Sequence, residues 1–489
     1  MNERLAFSFG KDRREDASAP ARAALPAPEA IVLPAGELPA EPPRDWAYLG
    51  LLAFTALLYF RPQDEIKPLA FLPLAEITAL SALAAMAFGR INKGLIFTRV
   101  TPELIGVVGL GAVILLTAPF SIWPGGAVGT FTNLYIKVLL IFMLMLNTLN
   151  SPARVRQFTW LIVIATSYIA FRAVFDYARG FNLIENGRVQ GAVGGMFQNP
   201  NDLALNMVSV LPLAVLLGMR AIGPLSRVIA IASGFLMIGA VIASQSRSGF
   251  LGLAAMFLFL AWQVGRKRPS FIAALVVAVV IVLPLTPSSY WARMSSITDE
   301  SRDDTGSREA RRILLREGWQ AFVDHPMTGV GAGLFQAYNP GGRAESWRET
   351  HNVVLQVASE LGIFGLGAFM FLVYRAAFAG RQVRKLLPRA IGLQPQPRWG
   401  PPPPPGRAVI SLRDAAFFEA YSATMAAAIA GWFLSALFAS VAYNWTFYYL
   451  LALAIAPRLI LTDRLAALRS TSRAGAQRAK RTSWQAAQV

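Results

Sequence analysis

Residues 203–219 read LALNMVSVLPLAVLLGM, seventeen positions without one ionisable side chain. As a helix rising 1.5 Å per residue the run is about 26 Å long, close to the ~30 Å hydrocarbon layer of a bilayer. Comparable apolar runs stand at about 46–60, 69–89, 103–119, 132–149 and 157–175 before it, and at 227–243, 249–264, 270–287, 353–374, 416–440 and 444–461 after it. The chain is 55% hydrophobic and 15% charged, against about 25% charged in a soluble domain, and its charges sit in clusters between the runs. The expectation is an all-α polytopic membrane protein of about twelve transmembrane helices.

The net charge of +18 is located where a membrane protein puts it. Residues 375–415 carry eight Lys/Arg and one acid, and residues 458–489 carry seven and one. Basic segments beside spans follow the positive-inside rule and attract anionic lipid, so they point to membrane lipids and away from nucleic acid. Among the short connections, one set holds Arg90, Lys93, Arg99, Arg154, Arg156, Arg220, Arg227, Arg266, Lys267 and Arg268. The alternate set holds only Arg61, Lys67, Arg179, Arg188 and Arg247. The richer set is expected in the cytoplasm, with both termini. Residues 1–45, rich in Ala and Pro, then read as a disordered cytoplasmic tail with no cleavable signal, and 462–489 as a basic cytoplasmic tail. The proline run 401–405 falls in a cytoplasmic linker, 380–415, between the tenth and eleventh spans. Segments 176–202 and 288–352 lie on the far side, where no ATP or nucleotide sugar is available.

The large far-side loop, 288–352, contains eight Arg, no Lys and nine Asp/Glu. Arg binds phosphate oxygens in pairs through a planar fork, so this usage suits a phosphate or pyrophosphate; an amphipathic, solvated helix at about 307–323 explains the same residues without a ligand. Arg247 sits in the polar turn Ser244-Gln245-Ser246-Arg247-Ser248-Gly249 between two spans, where a lone charge needs a partner, a purpose or a path to the interface. His351, where the loop re-enters the membrane, is a general base or a helix cap. The Gly-rich stretch from Arg188 through Gly194-Gly195 to Asn199-Pro200-Asn201-Asp202 opens a helix, which attracts anions but is also ordinary N-capping. Gly329-x-Gly331-x-Gly333 reads as a turn. Asp299, Glu300, Asp303 and Asp304 read as solvated carboxylates rather than a cation site. With no cysteine, thiolate chemistry and disulfides are excluded.

Taken in order, Arg188…Gly191…Asn199-Pro200-Asn201, Ser246-Arg247-Ser248-Gly249, Gly306-Ser307-Arg308, His325-Pro326-x-x-Gly329-x-Gly331-x-Gly333-x-Phe335, His351-Asn352-x-x-Leu355, Glu360-x-Gly362 and Gly365 resemble the O-antigen ligase and polymerase family of bacterial envelope glycosyltransferases. The resemblance spans about 185–375. It implies a GT-C-like fold with a large, partly helical periplasmic loop in the bacterial inner membrane. It also implies an undecaprenyl-pyrophosphate-linked glycan donor and a glycan or lipid A–core acceptor, with no cofactor or metal. Other polysaccharide-assembly proteins are possible partners. By the same resemblance His351 is the base that deprotonates the acceptor, while Arg308 and Arg247 hold the pyrophosphate. Arg188, Arg311, Arg312, Asn199, Asn201 and Asn352 assist in binding, and Glu360 orients His351 or an arginine. The competing class is a transporter or flippase of polysaccharide or lipid-linked oligosaccharide, for which the ionisable residues within spans are Lys137, Arg172 and Asp176.

Overall fold

The computed structural model describes residues 45–69, 71–184, 187–191, 197–266, 269–295, 307–339, 348–393 and 408–486. The amino-terminal tail, the Gly194-Gly195 stretch, the acidic run 299–304, Arg302, Arg343 and the proline run all lie outside them. The described residues are mostly helical. In order come α1 (Trp46–Phe60), α2 (Leu74–Ile91), α3 (Pro102–Thr117), α4 (Pro124–Thr148, with one π turn at 131–135), α5 (Pro152–Arg179) and α6 (Pro200–Arg220). They are followed by α7 (Pro224–Ser244), α8 (Arg247–Leu260), α9 (Pro269–Val282), α10 (Ser307–Asp324), α11 (Val353–Ala390), α12 (Leu412–Ala436) and α13 (Trp445–Ala486). The only strands among the described residues are the two-residue pair Leu183–Ile184 and Arg188–Val189.

The sequence writes these boundaries chemically. Pro102, Pro152, Pro200 and Pro224 stand at first helical positions, where the missing N–H costs nothing and the fixed φ favours the helix. Thr101, Ser151, Ser246 and Ser411 cap from the preceding position, each accepting a backbone N–H of the first turn at 3.0–3.3 Å.

Nine helices among the described residues are long and apolar enough to cross a membrane. The other three expected spans are helical but fall outside that number: α1 has 15 residues, α9 has 14, and the third is the apolar first part of the 42-residue α13. The central helix is α6, which packs against α7 and α12 and is buried over most of its length. By contrast α9 buries no residue at all. The span expected at 416–440 ends earlier, at Ala436, because Leu437–Asn444 turns on its own backbone bonds before α13 begins.

Charges inside the bundle are paired. Lys137 meets Glu76 at 3.2 Å, Arg172 meets the Tyr168 hydroxyl, and Asp176 accepts from Asn182. The deepest pairing is Glu103, fully buried, whose two oxygens take Arg375 (2.7 Å) and Arg458 (2.8 Å). It ties the start of α3 to the interior of α11 and of α13 toward one end of the bundle. Asp45–Arg154 and Asp414–Arg156 close the same end. The functional residues gather at the other.

Candidate functional site

Three connections and two helix starts build the site. The first connection carries Arg188. Its Nε donates to the Ser244 carbonyl at 3.2 Å and its Nη2 to Asn201 Oδ1 at 2.9 Å. That same Asn201 oxygen accepts from Ser246 Oγ at 2.8 Å. Arg188, the first turn of α6 and the polar turn 244–248 are thus one knot, with Arg247 at the first position of α8. Asn199 is the N-cap of α6; its Oδ1 accepts the Asn201 N–H at 2.8 Å.

The second connection runs from α10 to α11. Gly329, Gly331 and Gly333 all have positive φ (66°, 112° and 69°), a path open to glycine and costly for other residues. The loop docks on α11 where that helix is broken at Gly362 (φ 63°, ψ −160°). The break frees the carbonyls of Ser359 and Glu360, which accept from Val330 and Gly331 N–H at 2.9 Å each. A methyl group on Gly362 would stand 2.6 Å from the Met327 carbonyl carbon. Glu360, buried, accepts from the Gly333 N–H and from the Tyr443 hydroxyl, both at 2.9 Å. Expected to orient His351 or an arginine, Glu360 is instead bonded to the glycine loop and to the 437–444 turn.

His351 itself has φ 49°, a left-handed backbone that costs a non-glycine residue roughly 1–3 kcal/mol and is found preferentially at functional sites. Asn352, not His351, caps α11: its Oδ1 accepts from Val354 and Leu355 N–H. That task leaves only the amide nitrogen of Asn352 for a ligand. The third connection, 437–444, holds the histidine in place. Ser440 Oγ accepts the His351 N–H at 3.0 Å and lies 3.1 Å from Thr350 Oγ1, and Gln356 accepts the Ala442 N–H. Ser440 also bonds the Glu349 carboxyl, whose other contact is Gln336 at 3.1 Å.

The electrostatics follow from this crowding. Burial first, then the positive charges of Arg311 and Arg348, lower the His351 pKa to about 4, so its imidazole is neutral at physiological pH. Burial raises the Glu349 carboxyl above its usual range, against the lowering effect of its Ser440 and Gln336 bonds. Asp202, in the first turn of α6, is within electrostatic range of Glu349, so the Arg188–Asn201–Ser246 knot and the His351 pocket adjoin.

Of the sequence-predicted residues, Arg188 and Asn199 both bond to Asn201, and His351 lies within electrostatic range of Arg311. Arg312, one position on, turns outward and lies 3.7 Å from Glu309. Arg308 lies in the first turn of α10, and its side chain is outside the described residues. Arg348, Glu349, Ser440 and Gln336 belong to the pocket without having been singled out. Among the described residues no group of three or more potential metal ligands occurs.

A buried histidine under the charges of two arginines, at one end of a membrane bundle, suits transfer from a phosphorylated donor. Comparison with known families agrees with that chemistry. Residues 232–370 match the family model described as O-antigen ligase. The matched region runs from α7 to the middle of α11 and holds Arg247, Arg308, Arg311, Arg312, His351, Asn352 and Glu360; it starts well after Arg188, Asn199 and Asn201. That match, with nine helices among the described residues long and apolar enough to cross a membrane, supports a membrane enzyme of the O-antigen ligase or polymerase type. No curated protein matches the chain.

Proposed function

We propose that the protein transfers a glycan from an undecaprenyl-pyrophosphate-linked donor to an acceptor sugar hydroxyl, at the periplasmic face of the bacterial inner membrane. The reading is carried by His351, held through its backbone N–H by Ser440 inside the matched region, with burial and the charges of Arg311 and Arg348 lowering its pKa. The acceptor hydroxyl gives its proton to the imidazole as its oxygen bonds to the anomeric carbon. The bond from that carbon to the pyrophosphate oxygen breaks, and the leaving anion departs on the lipid. Guanidinium groups fixed beside the leaving group stabilise the charge as it develops. Arg311 and Arg348, whose charges act on His351, are assigned to that anion together with Arg188, Arg247 and Arg308. The charge asymmetry of the short loops supports the periplasmic orientation.

The test is the size distribution of lipid-linked and surface glycan in a native host lacking the gene. Single repeat units, with long chains missing from both pools, identify a polymerase. Full-length chains stranded on the carrier identify a ligase. Unchanged glycan in both pools rejects the proposal in favour of transport.

The pH dependence is a second test. A base must be unprotonated, and His351 stays so until the pH falls to about 4. The acid limb of the kcat/KM profile is expected there and not near 6.5, the ordinary value for histidine. Arg311→Gln removes one of the two cations opposing protonation, so the limb should move upward, though not fully to 6.5 because burial persists. A limb already at 6.5 in the wild type would remove His351 from the role of base.

A further inference from the structure

Helix α10 has three faces. Leu314 and Ala321 are buried, and Gly318 lies so close to α11 that a methyl there would stand 2.8 Å from Leu355. At about 100° per residue, Gln320 and Asp324 share a second, polar side and bond to each other. The third face repeats every fourth residue: Leu315, Trp319 and Val323, then Met327 just past the helix end, are 40%, 61%, 53% and 55% exposed. Arg312 and Arg316, both exposed, lie on this same face toward its amino-terminal end. Four large apolar side chains facing water in a row would be costly, and among the described residues no element covers them.

The depth of the stripe follows from what it adjoins. The Met327 backbone packs against Gly362, and the next residues of α11, Ile363 and Phe364, are 47% and 56% exposed on a membrane-spanning helix. On the other side the Val330 carbonyl accepts the Ile122 N–H at 3.0 Å, beside exposed Phe120 and Trp123 at the end of α3. The carboxyl-terminal end of α10 is therefore level with the ends of two spans, and its apolar stripe continues theirs.

We propose that α10 is an interfacial helix, lying in the lipid leaflet at the site end of the bundle. Leu315, Trp319, Val323 and Met327 enter the acyl boundary, and Arg312 and Arg316 reach the lipid phosphates. Tryptophan and arginine are the side chains suited to that boundary, the first through its amphipathic ring and the second by extending its charge to the headgroups. The arrangement fixes Arg311, between the lipid-facing and buried faces, at phosphate depth beside His351.

The chain has no cysteine, so single cysteines report without background. Trp319→Cys, Gln320→Cys and Val323→Cys, each carrying a nitroxide, are placed in vesicles of phosphatidylethanolamine and phosphatidylglycerol. Collision with dissolved oxygen is then compared with collision with a water-soluble nickel chelate. Positions 319 and 323 should favour oxygen and position 320 the chelate, reversing the sign of the contrast across one residue. Chelate access at 319 and 323 equal to that at 320 would put the helix in water and overturn the proposal. Exclusion of both reagents from 319 and 323 would overturn it too, because a second copy or another protein would then cover the stripe.

Discussion

His351→Ala is expected to lower glycan transfer by about 10² to 10⁴-fold, the range lost with a positioned general base. The loss should fall on kcat, because the imidazole acts on the proton in flight while donor binding rests on the arginines. Membrane insertion and thermal stability should survive. The anchoring bond to Ser440 comes from the backbone N–H of residue 351, which alanine retains. The experiment compares initial rates in proteoliposomes at saturating lipid-linked donor, with expression and melting temperature as controls. A variant that keeps more than about a tenth of wild-type kcat would end the assignment of His351 as the base.

The largest stability effect is expected at the opposite end of the bundle. Glu103→Ala removes the carboxylate that Arg375 and Arg458 share and leaves two guanidinium groups partly buried beside each other. Breaking a buried pair from one side typically costs about 3–5 kcal/mol, most of it the desolvation of the charge left behind. Thermal unfolding in detergent should show a clear fall in midpoint. Glu103→Gln should recover little, since an amide cannot neutralise either cation. The combined replacement of Glu103, Arg375 and Arg458 by methionine should recover much of the loss, because no uncompensated charge then remains. An unchanged midpoint for Glu103→Ala would show that the three-way contact contributes nothing. The candidate site lies at the other end, so kcat per folded molecule should stay constant in all these variants.

Local signals carried much of this architecture. The helix expected at 307–323 is Ser307–Asp324, and the span expected from residue 353 begins at Val353, because amphipathic periodicity and re-entry into a long apolar run are properties of neighbouring residues. His351 and Arg311 could be chosen because an isolated histidine and an arginine cluster are conspicuous in so apolar a chain. Ser440 could not. It falls at the edge of an apolar run, with no motif around it, and its importance comes from a contact 89 residues away in sequence. The same holds for Glu103, whose partners are 272 and 355 positions distant. Hydropathy reports which segments cross a membrane but not which ends meet, so the bond of Glu360 with Tyr443 had no signal to read. The Gly-x-Gly-x-Gly turn was legible as a turn, while its docking on a broken helix required the fold.

That docking also bears on the order in which the site is assembled during synthesis. Residues 326–333 bind a helix break only some thirty residues downstream, so their contacts become available as soon as the first turns of α11 have been made. Chains emerge amino terminus first, and α12 and α13 come later. The glycine loop can therefore lock while the carboxyl-terminal hairpin is still absent. The Ser440 hydroxyl that receives the His351 N–H arrives only with that hairpin, as does the Tyr443 hydroxyl that completes the contacts of Glu360. The arginine-bearing wall is thus in place early and the histidine is fixed last. A nascent chain acquires its reactive geometry only when its final membrane helices have joined the bundle.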